Sequence, residues 1–364
     1  MTDYIPQMEP LIAEADGKAV QAYMASGGWL TEFEKSRELE AALCKFTGAQ
    51  WCSLAPNGTL ALFLALMACG IKRDDEVMVP ALTMAATATA PLLAGARVVF
   101  ADIEPRTLCL DLARAEHLFS PRTRAVIVVS LNGRAPAGLA DFVARCRKRG
   151  IKVIEDAAQS LGSFAGDRHL GTLGDAGCFS FSAHKVVTTG QGGAVITNDE
   201  EIAGRMKRLR DFGRAQGGAD RYESVGWNFK FTDLQAVVGL EQMRRVPSLV
   251  ARKKHVFERY REGLAGIRGI SMPETDLVTT TPLFADVLVD PELKPRLGAH
   301  LHRNAIGSRS FYPALHREPA FATGEALPVA EAASARGLWL PSSMRLEDAH
   351  IDQVCRSIRH FFAS

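Results

Sequence analysis

The sequence predicts an α/β protein built on a mainly parallel sheet covered on both faces. Short runs rich in Val, Ile and Ala recur along the chain and alternate with helix-like segments. These runs are nearly continuous in apolar residues rather than alternating, as expected of strands buried on both faces. The bulk composition agrees. The chain has 364 residues, 47% hydrophobic and 23% charged, a size for two domains or for one large domain with an appendage.

Residues 33 to 48 (FEKSRELEAALCKFTG) carry an amphipathic helical pattern that stops at a glycine. Residues 57 to 69 (NGTLALFLALMAC) are apolar nearly all round, so a buried helix is expected there, with Asn57, Gly58 and Thr59 at its start. DEVMVPAL, ARVVFADI, RAVIVVSL and KVIEDA are strand candidates, spaced by helix-like stretches such as LADFVARCRKRG. FSFS and GGAVIT add two more strands. From residue 233 to 262 a long helical pattern is interrupted at Pro247, and a domain boundary is placed there. The remaining C-terminal part has fewer strand signals and ends in a helix, IDQVCRSIRHFF.

Composition narrows the function classes. The net charge is +2 and no basic block is interleaved with aromatics, so no nucleic-acid partner is expected. Seven cysteines are scattered without a CxxC pair, which suits reduced thiols better than a disulfide framework or a zinc site, and no metal is expected. The opening MTDYIPQMEPLIAEADGK does not read as a signal peptide, and no uncharged apolar run reaches membrane-spanning length. A cytoplasmic protein without a membrane partner is the expectation.

In open α/β sheets, ligands sit beyond the carboxyl ends of the strands, so the polar residues there are the candidates for chemistry. Asp156 closes the strand KVIED, and Lys185 follows the strand FSFS. Taken singly, the first reads as a helix cap and the second as a surface lysine. As a pair they suit pyridoxal phosphate, which a lysine holds as a Schiff base and whose ring nitrogen wants an acidic partner. Unit charges about 4 Å apart at an effective dielectric near 20 attract by about 4 kcal/mol, enough to shift a proton equilibrium by about three pH units. A pyridine nitrogen titrating near neutrality would then stay protonated. The lysine needs the opposite treatment, because a free amine titrating near 10.4 is a poor nucleophile at pH 7 until its site lowers that value.

The phosphate of such a cofactor needs donors. Asn57-Gly58-Thr59 at the start of a buried helix offers free backbone N–H groups, although the same residues serve plain capping. Ser180 and Ser182 share one side of the strand that leads to Lys185 and could reach the same phosphate. GQGG at 190 to 193 lacks the spacing of a dinucleotide fingerprint and is read as a tight turn.

These residues stand in blocks that resemble the DegT/DnrJ sugar aminotransferases. VIEDAAQSLGS, LGTLGDAGCFSFSAHKVVTTGQGGAVITND and GWNFKFTDLQAVVGLEQM carry the likeness, with WLTEFEKSRELE and LAPNGTLALFLAL before them and SRSFYPALHREPAF and GLWLPSS after them. The resemblance implies a fold-type I pyridoxal-phosphate enzyme. Its large domain, residues 1–246 with an N-terminal arm, would hold a mainly parallel seven-stranded sheet, and residues 247–364 would form a smaller α+β domain. It implies Lys185 as Schiff-base lysine and proton shuttle, Asp156 at the ring nitrogen, Gln159 at the ring hydroxyl, and Gly58, Thr59 and Ser180 at the phosphate. Asn228 would reach the phosphate of a partner subunit in a homodimer. His184, Lys230, Tyr312 and His316 stand where substrate contacts are implied. The implied reaction moves an amino group from L-glutamate, through pyridoxamine phosphate, to a keto-deoxy nucleotide sugar. A 4-keto-6-deoxy sugar linked to GDP or dTDP is favoured, as in perosamine-synthase-like members.

Three positions depart from the family pattern. Met84 replaces an aromatic that stacks on the cofactor, and a thioether can cover a ring face with a weaker preference. Ser130-Leu131-Asn132-Gly133 replaces His-x-Tyr-Gly, and Gln191 replaces a glutamate. A sugar dehydratase of the same fold carries histidine at the lysine position, so Lys185 argues against it, and the Lys185–Asp156 pair argues against a non-catalytic regulator.

Overall fold

A computed structural model of the chain describes residues 4–214 and 220–363. Seven strands form the main sheet or its chain-order neighbours: β1 Trp51–Ala55, β2 Glu76–Pro80, β3 Arg97–Ala101, β4 Thr123–Val129 and β5 Lys152–Asp156, then, after a two-stranded hairpin (β6 Phe164–Ala165, β7 Arg168–His169), β8 Ala176–Ser180 and β9 Gly193–Thr197. The sheet order is β1-β9-β8-β5-β4-β2-β3. Pairing from β8 to β3 is parallel throughout, and β9 alone runs opposite to its neighbours. The central strands are buried along almost their whole length because helices cover both faces.

One of those helices is Gly58–Ala68, whose apolar circumference is buried on nearly every side. Asn57 caps it, its side-chain oxygen accepting from the Leu60 N–H at 2.9 Å. The amphipathic helix Glu34–Thr47 ends at Gly48 as its pattern predicts. Its free N-terminal N–H groups are satisfied from another helix: the buried Asp233 carboxylate accepts from the N–H groups of Phe33, Lys35 and Ser36. Pro247 separates the helix Asp233–Arg244 from the helix Val246–Leu264, at whose first turn it sits.

The C-terminal part builds a second sheet of β10 Ile270–Ser271, β11 Ala285–Val289, β12 Arg309–Ser310 and β13 Gly337–Leu340, ordered β10-β11-β13-β12 and antiparallel throughout. Its core is Val287, Leu338 and Leu340 against Val256 and Tyr260 of one helix and Ile351, Val354 and Ile358 of the last. Ile5 belongs to this core as well. The first described residues thus pack with the C-terminal sheet, not with the residues that follow them in the chain, because Ile5 exchanges backbone hydrogen bonds with Ala305 and Gly307. All seven cysteines are free thiols. Among the described residues no helix is long and apolar enough to cross a membrane.

Candidate active site

The carboxyl ends of β4, β5 and β8, the loop after β2 and the start of the helix Gly58–Ala68 open onto one cavity of about 520 Å³. It is closed on the far side by Arg309 of β12 and by Tyr312. Gly58, Thr59, Met84, Asp156, Gln159, Ser180, His184, Lys185 and Tyr312 all line it, as do Thr83, Ser182 and Gln191. Residues spread over more than half the sequence therefore converge because the topology brings these strand ends to one edge of the sheet.

Lys185 follows β8 through a turn in which its N–H donates to the Ser182 carbonyl at 3.0 Å. Burial pushes its ammonium down to about 8, while the carboxylate of Asp156 pulls in the other direction. Asp156 ends β5 and is held on both oxygens: Thr87 Oγ1 donates to Oδ2 at 2.8 Å and the Ala158 N–H donates to Oδ1 at 3.2 Å. Burial raises its carboxyl, and those two donors and Lys185 hold it down. Each group is thus shifted toward its neutral form by the low-dielectric site, and a cationic ring nitrogen is the partner such a carboxylate lacks. His184 is pushed down to about 4 by burial and by the neighbouring Lys185 and Arg309, so its imidazole is neutral at pH 7.

The start of the helix Gly58–Ala68 is tightly packed against its neighbours. Gly193 at the start of β9 lies so close to the helix start that a Cβ there would stand 2.5 Å from the Asn57 carbonyl oxygen, and a Cβ on Gly58 would stand 3.0 Å from that of Ser180. The Gly58 and Thr59 N–H groups occupy the first turn, where no intrahelical acceptor exists, and both residues line the cavity together with Ser180. Donors for an oxyanion at one end and a lysine–aspartate pair at the other fit pyridoxal 5′-phosphate.

Not every expected residue is at this cavity. His316, expected at a substrate contact, does not line this cavity: its imidazole is fully buried, Nε2 is 3.0 Å from the Glu331 carboxylate, and the ring packs near Phe100. Asn228 and Lys230 lie outside the cavity in this chain. Asn228 pairs with Asp211 across an isolated bridge, and Lys230 makes an ion pair with Asp211 at 2.9 Å. GQGG does form the turn into β9, yet Gln191 within it lines the cavity. Sequence reasoning missed Arg309, whose neighbours in SRSFYPALH were already marked, and Thr87, whose spacing from Asp156 gives no local signal.

A sheet with one reversed strand, and a lysine and an aspartate converging on a helix start at its carboxyl edge, define a pyridoxal-phosphate-dependent aminotransferase. The comparisons with known proteins agree. Residues 10–359 match the DegT/DnrJ/EryC1/StrS aminotransferase family, and the chain belongs to that family. It is 34% identical over 339 residues to a GDP-perosamine synthase of Caulobacter vibrioides, covering 91% of this chain and 90% of that one. Among solved structures, the aminotransferase TlmJ from Streptoalloteichus hindustanus superposes with a TM-score of 0.93 at 31% identity, covering 99% of each chain. The Streptococcus pneumoniae protein Spr1654 in its PLP form superposes with a TM-score of 0.92 at 26% identity, with 99% of each chain covered.

Proposed function

We propose that this chain transfers an amino group from L-glutamate to a keto-deoxy nucleotide sugar, favouring a 4-keto-6-deoxy sugar on GDP or dTDP. The observation that carries the reading is the single cavity that gathers Lys185, Asp156 and the Gly58–Thr59–Ser180 cradle. The likeness to a GDP-perosamine synthase supports the choice of sugar. When bound, pyridoxal phosphate supplies an electrophilic carbon and a ring that accepts the electron pair left when a proton departs from the substrate.

The chain's own groups supply the rest. Lys185 Nζ would hold the cofactor and, once free, would take up and return the substrate proton in each half of the reaction, a task suited to an amine titrating near 8. Asp156 keeps positive charge on the ring nitrogen, with Thr87 fixing its carboxylate. Gly58, Thr59 and Ser180 would bind the phosphate, Gln159 would meet the ring hydroxyl, and Met84 would cover a ring face. Arg309 and His184 border the space left for substrate, together with Tyr312, whose hydroxyl burial pushes up to about 12 and so keeps protonated.

The reading extends to the assembly. A homodimer with Asn228, and Lys230 beside it, completing the partner's site is supported by the exposed apolar side chains of Trp29, Leu30, Phe33 and Val225. The division into residues 1–246 and 247–364 is proposed for the two halves, with Ile5 crossing to the second, and a cytoplasmic location goes with this chemistry.

The test is the visible absorption of the purified protein loaded with pyridoxal phosphate, before and after L-glutamate. A yellow band that bleaches with glutamate, followed by amination of a GDP- or dTDP-linked 4-keto-6-deoxy sugar, supports the proposal. A protein that stays colourless with added cofactor sinks it.

A further inference from the structure

Asn132 sits between the cavity and the C-terminal sheet, at one of the three positions where this sequence leaves the family pattern. It is buried, and its backbone is left-handed, with φ 54° and ψ 32°. Asparagine tolerates that conformation better than most residues. The next residue, Gly133, has φ 80°, and a Cβ on it would meet the Thr281 carbonyl oxygen at 2.3 Å, so the chain lies against residues 281–284 only with glycine there.

Two side-chain amides are locked by this placement. The Asn132 amide makes a reciprocal pair with the backbone of Phe284: Oδ1 accepts from the N–H at 2.7 Å and Nδ2 donates to the carbonyl at 2.9 Å. Flipped, it would set donor against donor and acceptor against acceptor. The Asn132 backbone N–H in turn donates to Gln159 Oε1 at 2.8 Å. A backbone N–H can only donate, so the Gln159 oxygen must face it and the NH2 group must face the cavity. That NH2 gives one hydrogen to the Tyr312 hydroxyl at 3.2 Å and keeps its second.

We propose that Asn132 is a positioning residue that ties the Gln159 amide to the C-terminal sheet and makes it present a donor, not an acceptor, to the cofactor's ring hydroxyl. The inference rests on the aminotransferase reading above and on Gln159 as the ring-hydroxyl contact. A donor there stabilises the deprotonated ring oxygen. Its loss makes the lysine-bound cofactor hold its proton to higher pH.

The experiment is a pH titration of the visible band in the cofactor-loaded wild type, Asn132→Ala, Gln159→Glu and the double variant, with near-ultraviolet circular dichroism as the check on folding. Gln159→Glu leaves only acceptors, and its midpoint is expected to rise by about one pH unit, a tenfold change in proton affinity. Asn132→Ala is expected to rise in the same direction, and the double variant to rise no further than Gln159→Glu alone, because both act through one contact. Asn132→Gly, which keeps the left-handed backbone without strain, is expected to fall between wild type and Asn132→Ala. It serves as the reporter if alanine unfolds the chain, and an unshifted, folded Asn132→Gly then counts against the proposal.

A shift in Gln159→Glu without one in a folded Asn132→Ala overturns the positioning role. No shift in either overturns the donor assignment. A wild type with no band under any condition overturns the aminotransferase reading and the inference with it, which separates the two failures.

Discussion

Lys185 is a buried amine with one acidic neighbour, and its protonation decides how it meets the cofactor. Only the neutral amine attacks a carbonyl carbon, so cofactor uptake by the apo chain is expected to slow about tenfold per pH unit below about 8 and to level off above it. Stopped-flow absorbance against pH checks this. The same depression costs stability. An unfolded lysine titrates near 10.4, so as pH falls from there to about 8 the unfolded chain takes a proton that the folded chain refuses. The penalty is therefore full below about 8 and absent above about 10.4. Lys185→Met is expected to stabilise the apo chain at pH 7 by up to about 3 kcal/mol, to lose that advantage at pH 10.5, and to abolish the visible band. Urea midpoints at the two pH values measure it. Asp156 was legible in the sequence because it closes a strand, and Lys185 because it follows the strand FSFS by a few residues. Arg309 and Thr87 were not: an arginine in a short polar strand and a threonine in an alanine-rich helix have no local pattern that sets them apart, and only the folded topology aims them.

The helix Gly58–Ala68 and strand β9 meet at the proposed phosphate cradle, and their closeness depends on Gly193. Gly193→Ala places a methyl 2.5 Å from the Asn57 carbonyl, and the helix start must retreat. Overpacking of that kind costs about 1–3 kcal/mol, so cofactor affinity is expected to fall at least about tenfold with the fold retained. Titration of the visible band with pyridoxal phosphate reads the loss. Among the elements, strands with continuous Val and Ile were evident from composition, whereas β1 was not. Its Trp-Cys-Ser-Leu-Ala run shows neither alternation nor a continuous β-branched stretch, and it lies at the sheet edge. The reversed direction of β9 leaves no trace in its own residues either, since GGAVIT is equally apolar whichever way it runs.

Across the whole molecule, the turn that follows β4 is tied to β11 of the second sheet by a buried ion pair, Arg134 Nη2 to Asp286 Oδ2 at 2.7 Å, with both side chains almost fully enclosed. Removing one partner strands the other in a dry site. Asp286→Ala is expected to destabilise by about 3–5 kcal/mol, while an apolar replacement of both recovers most of that loss, as equilibrium urea unfolding can show. The proposed dimer has its own test. Mixed Lys185→Ala and Asn228→Ala chains should form hybrids in which one site keeps both residues, so activity should exceed that of the two parents combined. No gain after subunit exchange would remove the cross-subunit role. The α/β class was legible in the sequence. The docking of Ile5 and Gln7 on the C-terminal sheet was not, because neither residue stands out from its neighbours in the sequence. Gln7 donates to the Leu340 carbonyl and accepts from the Ser342 N–H, with 333 positions separating it from Leu340. That separation has a meaning in time. A ribosome adding 5–20 residues per second needs on the order of half a minute to deliver the acceptor. During that interval the segment around Ile5 and Gln7 has no place to dock, while the main sheet can already assemble behind it. The segment around Ile5 and Gln7 therefore stays undocked on a newborn chain until residues 305–342 have emerged, which makes it a natural point for a chaperone or protease to engage.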